Sequence, residues 1–128
     1  MPKILIIEDD ADMNEGYQGL FAGVGIELLI ATTLLEALRT FDANPDIAAV
    51  FVDGLFPRKE GESHRPEHGR KCNGVIFLIN AAHRCPMFAC SSEDTINQQM
   101  LNAGASETCK KGTAILARAR QLLKDTAK

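Results

Sequence analysis

The stretch Ile47-Ala48-Ala49-Val50-Phe51-Val52-Asp53-Gly54-Leu55-Phe56-Pro57 decides the fold. Six apolar residues run without a polar interruption and stop at an acid. A strand of this kind is buried on both faces, as in a parallel sheet. Its terminal acid, just ahead of a turn, places a carboxylate at the sheet edge. A second run, Lys3-Ile4-Leu5-Ile6-Ile7, ends the same way in Glu8-Asp9-Asp10. Two strands that both deliver carboxylates at their ends point to a shared cation site, because crowded like charges repel unless a metal offsets them. Ser91 follows the apolar stretch Met87–Cys90, and Lys111 follows Thr108-Cys109. An acid pair, a single Asp, a hydroxyl and an ammonium therefore come in that order, each at a strand end.

Between these strands the apolar spacing turns helical. Met13, Tyr17, Leu20, Phe21 and Val24 share one face of a first helix. Asp10 or Asp12 can cap its start and Gly23 or Gly25 its end. Glu27–Ala31 reads as a short strand. Thr33 with Glu36 fits a capping box, ahead of a helix whose buried face is Leu34, Ala37, Leu38 and Phe41 and which Asn44-Pro45 stops. Val75–Ala82 is apolar nearly all round, so its period is ambiguous between helix and strand. A helix is expected, because parallel neighbours need a crossover, and burial beneath the preceding loop is the favoured setting. Met87–Cys90 and Glu107–Cys109 complete the strands. Asp94–Ala103 is a polar helix anchored by Ile96 and Met100. Ile115, Leu116, Ala119, Leu122 and Leu123 form the stripe of the last helix. Strand and helix alternate five times, which implies an α/β, doubly wound, five-stranded parallel sheet with helices on both faces. Ligands in such sheets bind outside the carboxyl ends of the strands, where strand order reverses.

With 128 residues, this reads as one domain, residues 1–128, interrupted by an extended loop at about 58–72. The loop carries Arg58, Lys59, Arg65, Arg70 and Lys71 against Glu60, Glu62 and Glu67, and is long for a compact domain. Apolar residues at 45% and charged residues at 24% are ordinary for a soluble globular chain. A net charge of −3 gives no global argument for direct nucleic-acid binding. No apolar run approaches a membrane span, and Met1-Pro2-Lys3 leads straight into a strand, so a cytoplasmic location without membrane insertion is expected. The four cysteines, Cys72, Cys85, Cys90 and Cys109, form no CxxC pair and are expected as reduced thiols.

Four pieces, Ile4–Asp10, Val52–Pro57, Pro86–Ser91 and Gly104–Lys111, together resemble the receiver domain of two-component response regulators, over essentially the whole chain. The resemblance implies the flavodoxin-like strand order 2-1-3-4-5, which is carried over from that family. It implies Asp53 as phosphoacceptor, with Glu8 and Asp9 holding Mg²⁺ together with Asp53 and the backbone carbonyl of Leu55. Ser91 and Lys111 would each contact a phosphoryl oxygen. The implied partners are a sensor histidine kinase or phosphotransfer protein and an unknown downstream protein; homodimerisation stays open. Such a chain is a signalling phosphoacceptor rather than an enzyme, with at most self-catalysed gain and loss of phosphoryl on Asp53. Elementary chemistry agrees: a carboxylate attacking phosphorus yields a labile acyl phosphate, and an oxygen-only site with few protein ligands suits Mg²⁺.

Several positions depart from the family pattern. Gly112 follows Lys111 where proline is usual, which makes Lys110 an alternative. Thr108 stands where an aromatic switch residue is common, and Ser92 where Ala or Gly is common. These departures support an alternative, a phosphorylation-independent adaptor with the same fold. A phosphohydrolase of the haloacid-dehalogenase kind is disfavoured, because Leu55 stands where a second acid is needed. His64, His68 and Cys72 recur every fourth residue, which would suit zinc on a helix, but Pro66 and Gly69 break one, so a solvated loop is expected. His83 is expected at a helix end, facing the dipole. Cys90 and Cys109 are expected as small core residues on neighbouring strands, and nothing in the sequence supports a redox switch between them.

Overall fold

The chain, seen in a computed structural model that describes residues 1–126, begins with β1 (Lys3–Ile7), an interior strand of a five-stranded sheet. The expected domain span of 1–128 ends on Ala127 and Lys128, which lie outside the described residues. β1 pairs in parallel with β2 (Glu27–Ala31) on one side and β3 (Ile47–Val52) on the other. β4 (Met87–Ala89) and β5 (Glu107–Thr108) follow outward from β3, giving the order β2-β1-β3-β4-β5. The expected doubly wound fold and its strand order are therefore observed. β4 and β5 each stop one residue short of the expected bounds, before Cys90 and Cys109, yet the backbone bonds continue: Cys90 N–H meets the Val52 carbonyl and Cys109 N–H the Ala89 carbonyl, both at 2.9 Å.

Helices cover both faces because β1 and β3 bury both. Ile4 and Ile6 pack with Ala49, Phe51, Tyr17 and Phe21, beneath α1 (Ala11–Phe21) and α5 (Thr113–Thr126). Leu5, Ile7, Val50 and Val52 pack on the opposite side with Leu34, Phe41, Phe77 and Met100, beneath α2 (Leu34–Ala43), α3 (Asn73–Asn80) and α4 (Asp94–Asn102). Alternation along the strand sends successive side chains to these two cores. Asp10 caps α1 by accepting from Met13 N–H at 3.0 Å. The helix ends at Phe21 with Ala22 as cap, ahead of Gly23. Thr33 accepts from Glu36 N–H at 3.1 Å, and the Glu36 carboxylate reaches Thr32 N–H at 2.7 Å, one residue earlier than a standard capping box requires.

α3 is a helix, as its place between parallel strands demands, but it starts at Asn73 and ends at Asn80, and its burial is incomplete. Val75, Phe77 and Leu78 face the core, while Ile79 is 56% exposed. The loop and α3 together line a hollow of about 730 Å³, with Arg58, Arg65, Arg70 and Ile76 on its walls. Both its ends are pinned. Pro57 and Arg58 carbonyls accept from Leu34 and Leu35 N–H, each at 3.0 Å. On the return, Asn73 Nδ2 donates to the Phe56 carbonyl at 2.7 Å and Gly74 N–H to the Gly54 carbonyl at 3.1 Å. The insertion is thus a closed excursion that leaves the sheet undisturbed.

Gly74 is the tightest point of that closure. A Cβ there would lie 2.5 Å from the Asp53 carbonyl oxygen and 2.9 Å from Gly54 Cα, both backbone atoms that cannot turn aside. Gly74→Ala is expected to destabilise the fold by about 1–3 kcal/mol through overpacking, read from the urea unfolding midpoint. A variant as stable as the native chain would contradict this contact.

Candidate functional site

The carboxyl ends of β1, β3, β4 and β5 converge on one cleft of about 290 Å³. Glu8, Asp9, Asp53, Leu55, Ser91 and Lys111 all line it, so the structure brings every expected site residue together. The ladder sets their positions. Glu8 N–H bonds to the Ala31 carbonyl at 3.0 Å and Asp53 N–H to the Ile7 carbonyl at 3.1 Å, so each acid is held as the residue that ends its strand.

Glu8 and Asp53 are nearly inaccessible, at 3% and 6% exposure. Lys111 Nζ lies 2.9 Å from Glu8 Oε1 and 3.1 Å from Asp53 Oδ1. One ammonium therefore serves two buried carboxylates. Burial, then the charge of Glu8, push the Asp53 carboxyl up to about 7, against the pull of Lys111. Burial alone would lower the Lys111 ammonium, but its bonds to Glu8 and the charge of Asp53 outweigh this and raise it. Burial also raises Asp9, with Glu8 adding to the effect, against its own backbone N–H and the nearby His64 ring. Carboxylate oxygens of Glu8, Asp9 and Asp53 lie within 4.8 Å of one another. Three acids against one lysine leave a surplus of negative charge, and an all-oxygen donor set of this size suits a hard divalent cation.

Ser91 Oγ accepts from Glu93 N–H at 3.1 Å, which leaves the hydroxyl proton to donate elsewhere. It does not cap α4; Glu93 occupies the cap position and makes no side-chain cap bond. Lys110 is exposed, so Lys111 is the lysine of the site. Gly112 explains the missing proline: its φ is +85° and its N–H donates to Tyr17 Oη at 3.1 Å. Proline could supply neither the positive φ nor the donor. Ser92 lines the cleft mouth and Thr108 is exposed.

Sequence reasoning missed four supporting residues. Asn14, buried in α1, donates to the Glu8 carbonyl at 2.8 Å and steadies the acidic turn. Asn97 grips Ser91 at both backbone groups: its Oδ1 accepts from the N–H and its Nδ2 donates to the carbonyl, each at 2.9 Å. Tyr17 holds the Lys111–Gly112 turn through its hydroxyl. His64 reaches the cleft wall from the insertion, whose Arg65 also pairs with Glu93 at 3.3 Å. Asn14 was detectable as a polar residue beside an apolar stripe; Asn97 lies six residues from Ser91 but across a turn whose shape the sequence does not give, and Tyr17 and His64 serve parts of the site far away in sequence. His64, His68 and Cys72 do not assemble as metal ligands; among the described residues, Glu8, Asp9 and Asp53 are the group that does. His83 takes its expected place beyond α3, with Nε2 2.6 Å from the Leu78 carbonyl.

No protein-family model matches the chain, and no curated protein matches it in sequence. Solved structures do match in shape. A two-component response regulator from Clostridium difficile superposes with a TM-score of 0.75 at 21% identity, covering 100% of both chains. A response regulator receiver protein from Pseudoalteromonas atlantica gives 0.72 at 14% identity, over 99% of this chain and 100% of that one. The receiver domain of NtrX from Brucella abortus gives 0.69 at 19%, over 94% and 98%. The chain has the receiver fold. In longer proteins the receiver fold is one part: the chain spans 28% of an NtrX chain from Brucella abortus and 51% of a two-component system response regulator/GGDEF domain protein. Among the described residues no helix is long and apolar enough to cross a membrane.

The raised Asp53 makes a signed prediction. Its folded value exceeds its ordinary one of 3.8, so its contribution is full below that value and is lost as pH rises through about 7. Without added cation, Asp53→Asn, which cannot ionise, should gain stability relative to the native chain as pH rises from about 5 to 8. Thermal melts at stepped pH check this, and a divalent cation should shrink the gap by offsetting the native charge. A gap that narrows with rising pH without cation would contradict the assignment.

Proposed function

We propose that residues 1–128 form one receiver domain that accepts a phosphoryl group on Asp53 from a sensor histidine kinase or phosphotransfer protein, in the cytoplasm. The observation that carries this reading is the bridging of Glu8 and Asp53 by Lys111, at the edge where Asp9, Ser91 and Leu55 also converge. Buried carboxylates this close, next to a cation-sized cluster of oxygens, are costly for stability alone and suit charge-dependent chemistry.

A carboxylate oxygen of Asp53 attacks phosphorus, the bond from phosphorus to the donor's leaving group breaks, and an acyl phosphate forms on Asp53. Glu8, Asp9, Asp53 and the Leu55 carbonyl would hold Mg²⁺, which when bound offsets the repulsion between Asp53 and the incoming phosphoryl group. Lys111 is poised to exchange its contact with Asp53 for a phosphoryl oxygen, and the Ser91 hydroxyl proton can donate to another. Asn97 holds Ser91 by its backbone, so movement of that hydroxyl would carry the start of α4 with it. Output then passes by contact with a downstream protein, because two arrangements of this edge differ in surface shape and charge.

A second reading, a phosphorylation-independent adaptor, draws on one observation: Thr108, where an aromatic switch residue would stand, is small and exposed. Intact mass after incubation with Mg²⁺ and acetyl phosphate separates the two. The native chain should gain one phosphoryl group and Asp53→Asn none. Lys111→Ala should slow uptake by about 100-fold, the cost of removing one charge-stabilising donor. A native chain that binds Mg²⁺ yet takes up no phosphoryl from either acetyl phosphate or a histidine kinase would favour the adaptor.

A further inference from the structure

The ladder that positions the acids also places two cysteines side by side. Ala89 of β4 registers with Thr108 of β5, and Cys109 N–H bonds to the Ala89 carbonyl at 2.9 Å. The next residues outward are Cys90 and Cys109, on neighbouring parallel chains. Strands in a sheet run about 4.8 Å apart, inside the span of about 4.4–6.8 Å between the Cα atoms of a disulfide. Both side chains point to the same face. Cys90 is buried in the core with Phe88, Phe51 and Ile115, and Cys109 packs against that same core. Cys90 Sγ donates to the Phe88 carbonyl at 3.6 Å and Cys109 Sγ to the Lys110 carbonyl at 3.5 Å, and both are free thiols.

Their surroundings differ in a way that assigns roles. Cys109 is half-buried and lines an open cleft of about 410 Å³, with Ser91, Asn97, Thr108 and Lys110 on its walls. A small solute therefore reaches it. The neighbouring Cys90 thiol, and the Arg118 guanidinium nearby, hold the Cys109 thiol below its ordinary value despite partial burial. Cys90 is 2% exposed; the neighbouring Cys109 sulfur and burial hold its thiol well above the ordinary value. An accessible, acidified thiol beside a sheltered one is the arrangement of an attacking and a resolving cysteine. Cys85, by contrast, is raised by burial and has no thiol beside it among the bonds of the described residues.

We propose that Cys109 and Cys90 form a reversible intramolecular disulfide when the protein meets a hydroperoxide. The Cys109 thiolate attacks the peroxide, the O–O bond breaks, and the departing oxygen takes a proton and leaves as water or alcohol. Cys109 is then a sulfenic acid. Cys90 sulfur attacks Cys109 sulfur, the S–O bond breaks, and the hydroxyl leaves as water with the Cys90 proton. Two thiols and one peroxide give one disulfide and two small molecules, the thiols being oxidised and the peroxide reduced. The bond would tie the chain just before Ser91 to the chain just before Lys111. It would therefore clasp together the two segments that carry the hydroxyl and the ammonium of the acidic site.

The test needs neither cation nor phosphoryl donor, so it stands or falls apart from the phosphoacceptor reading. The reduced full chain is treated with equimolar hydrogen peroxide, free thiols are alkylated, and intact mass and peptide maps are read. The expected result is the loss of two hydrogen atoms, a crosslinked Cys90–Cys109 peptide pair, and recovery of both thiols with dithiothreitol. Cys90→Ser should instead accumulate a sulfenic acid at Cys109, trapped by dimedone, and Cys109→Ser should block the disulfide. Full alkylation of both thiols after peroxide, over-oxidation of Cys109 with Cys90 still free, or a disulfide that uses Cys72, Cys85 or a second chain would each overturn the proposal. The map of the native chain decides even if a variant fails to fold.

Discussion

Two buried carboxylates share one ammonium at the carboxyl edge of this sheet. Glu8 and Asp53 end adjacent strands, and Lys111, arriving from the far side of β5, touches both. Like charges held this close in a poorly solvated place are unfavourable, and one lysine cannot neutralise three acids. The protein keeps the arrangement because the surrounding sheet leaves it no alternative. Backbone bonds from Glu8 to Ala31 and from Asp53 to Ile7 fix both acids, and the apolar cores on either face fix the strands. The site is thus kept in a state that a proton or a cation would each relax differently.

The rest of the structure can be understood as support for that edge. Asn14 steadies the turn that carries Glu8, Asn97 the turn that carries Ser91, and Tyr17 the turn that carries Lys111. Each is a side chain bonded to backbone, which fixes a loop without competing for the charged groups. The insertion after Pro57 begins and ends on backbone bonds to the same neighbourhood, through Leu34 and Leu35 at one end and Gly54 and Phe56 at the other. Fourteen or so residues of loop cost little when their ends are already adjacent, since closure entropy grows slowly with length. The insertion gives the cleft a wall, His64, and an ion pair, Arg65 with Glu93, that the bare fold would lack.

The cysteine pair depends on the same geometry. In a parallel sheet, the residues just past two paired strands lie as close as the strands themselves, whether they are acids, hydroxyls or thiols. The carboxyl edge carries charge chemistry on the cleft side, while one residue inward it carries sulfur on the face covered by α5. Ser91 and Lys111 are each within two residues of a thiol, so the two chemistries share their backbone.

The sequence by itself determined the alternation of strands and helices, most element bounds, and the acids, hydroxyl and lysine at the strand ends. These are legible because apolar periodicity and the residue that ends an apolar run are local signals. Expected strand ends erred by one residue at Cys90 and Cys109, where the ladder bonds continue beyond the regular strand. The tertiary structure alone decided three things. It decided that Lys111 rather than Lys110 bridges Glu8 and Asp53, that α3 leaves Ile79 exposed instead of buried beneath the loop, and that Cys90 and Cys109 sit side by side on one face. It also explained Gly112, whose positive φ and bond to Tyr17 no reading of neighbours could supply. The physical reason is common to all of these: each depends on where separate segments of the chain meet, and only the folded sheet sets the distance and direction between them.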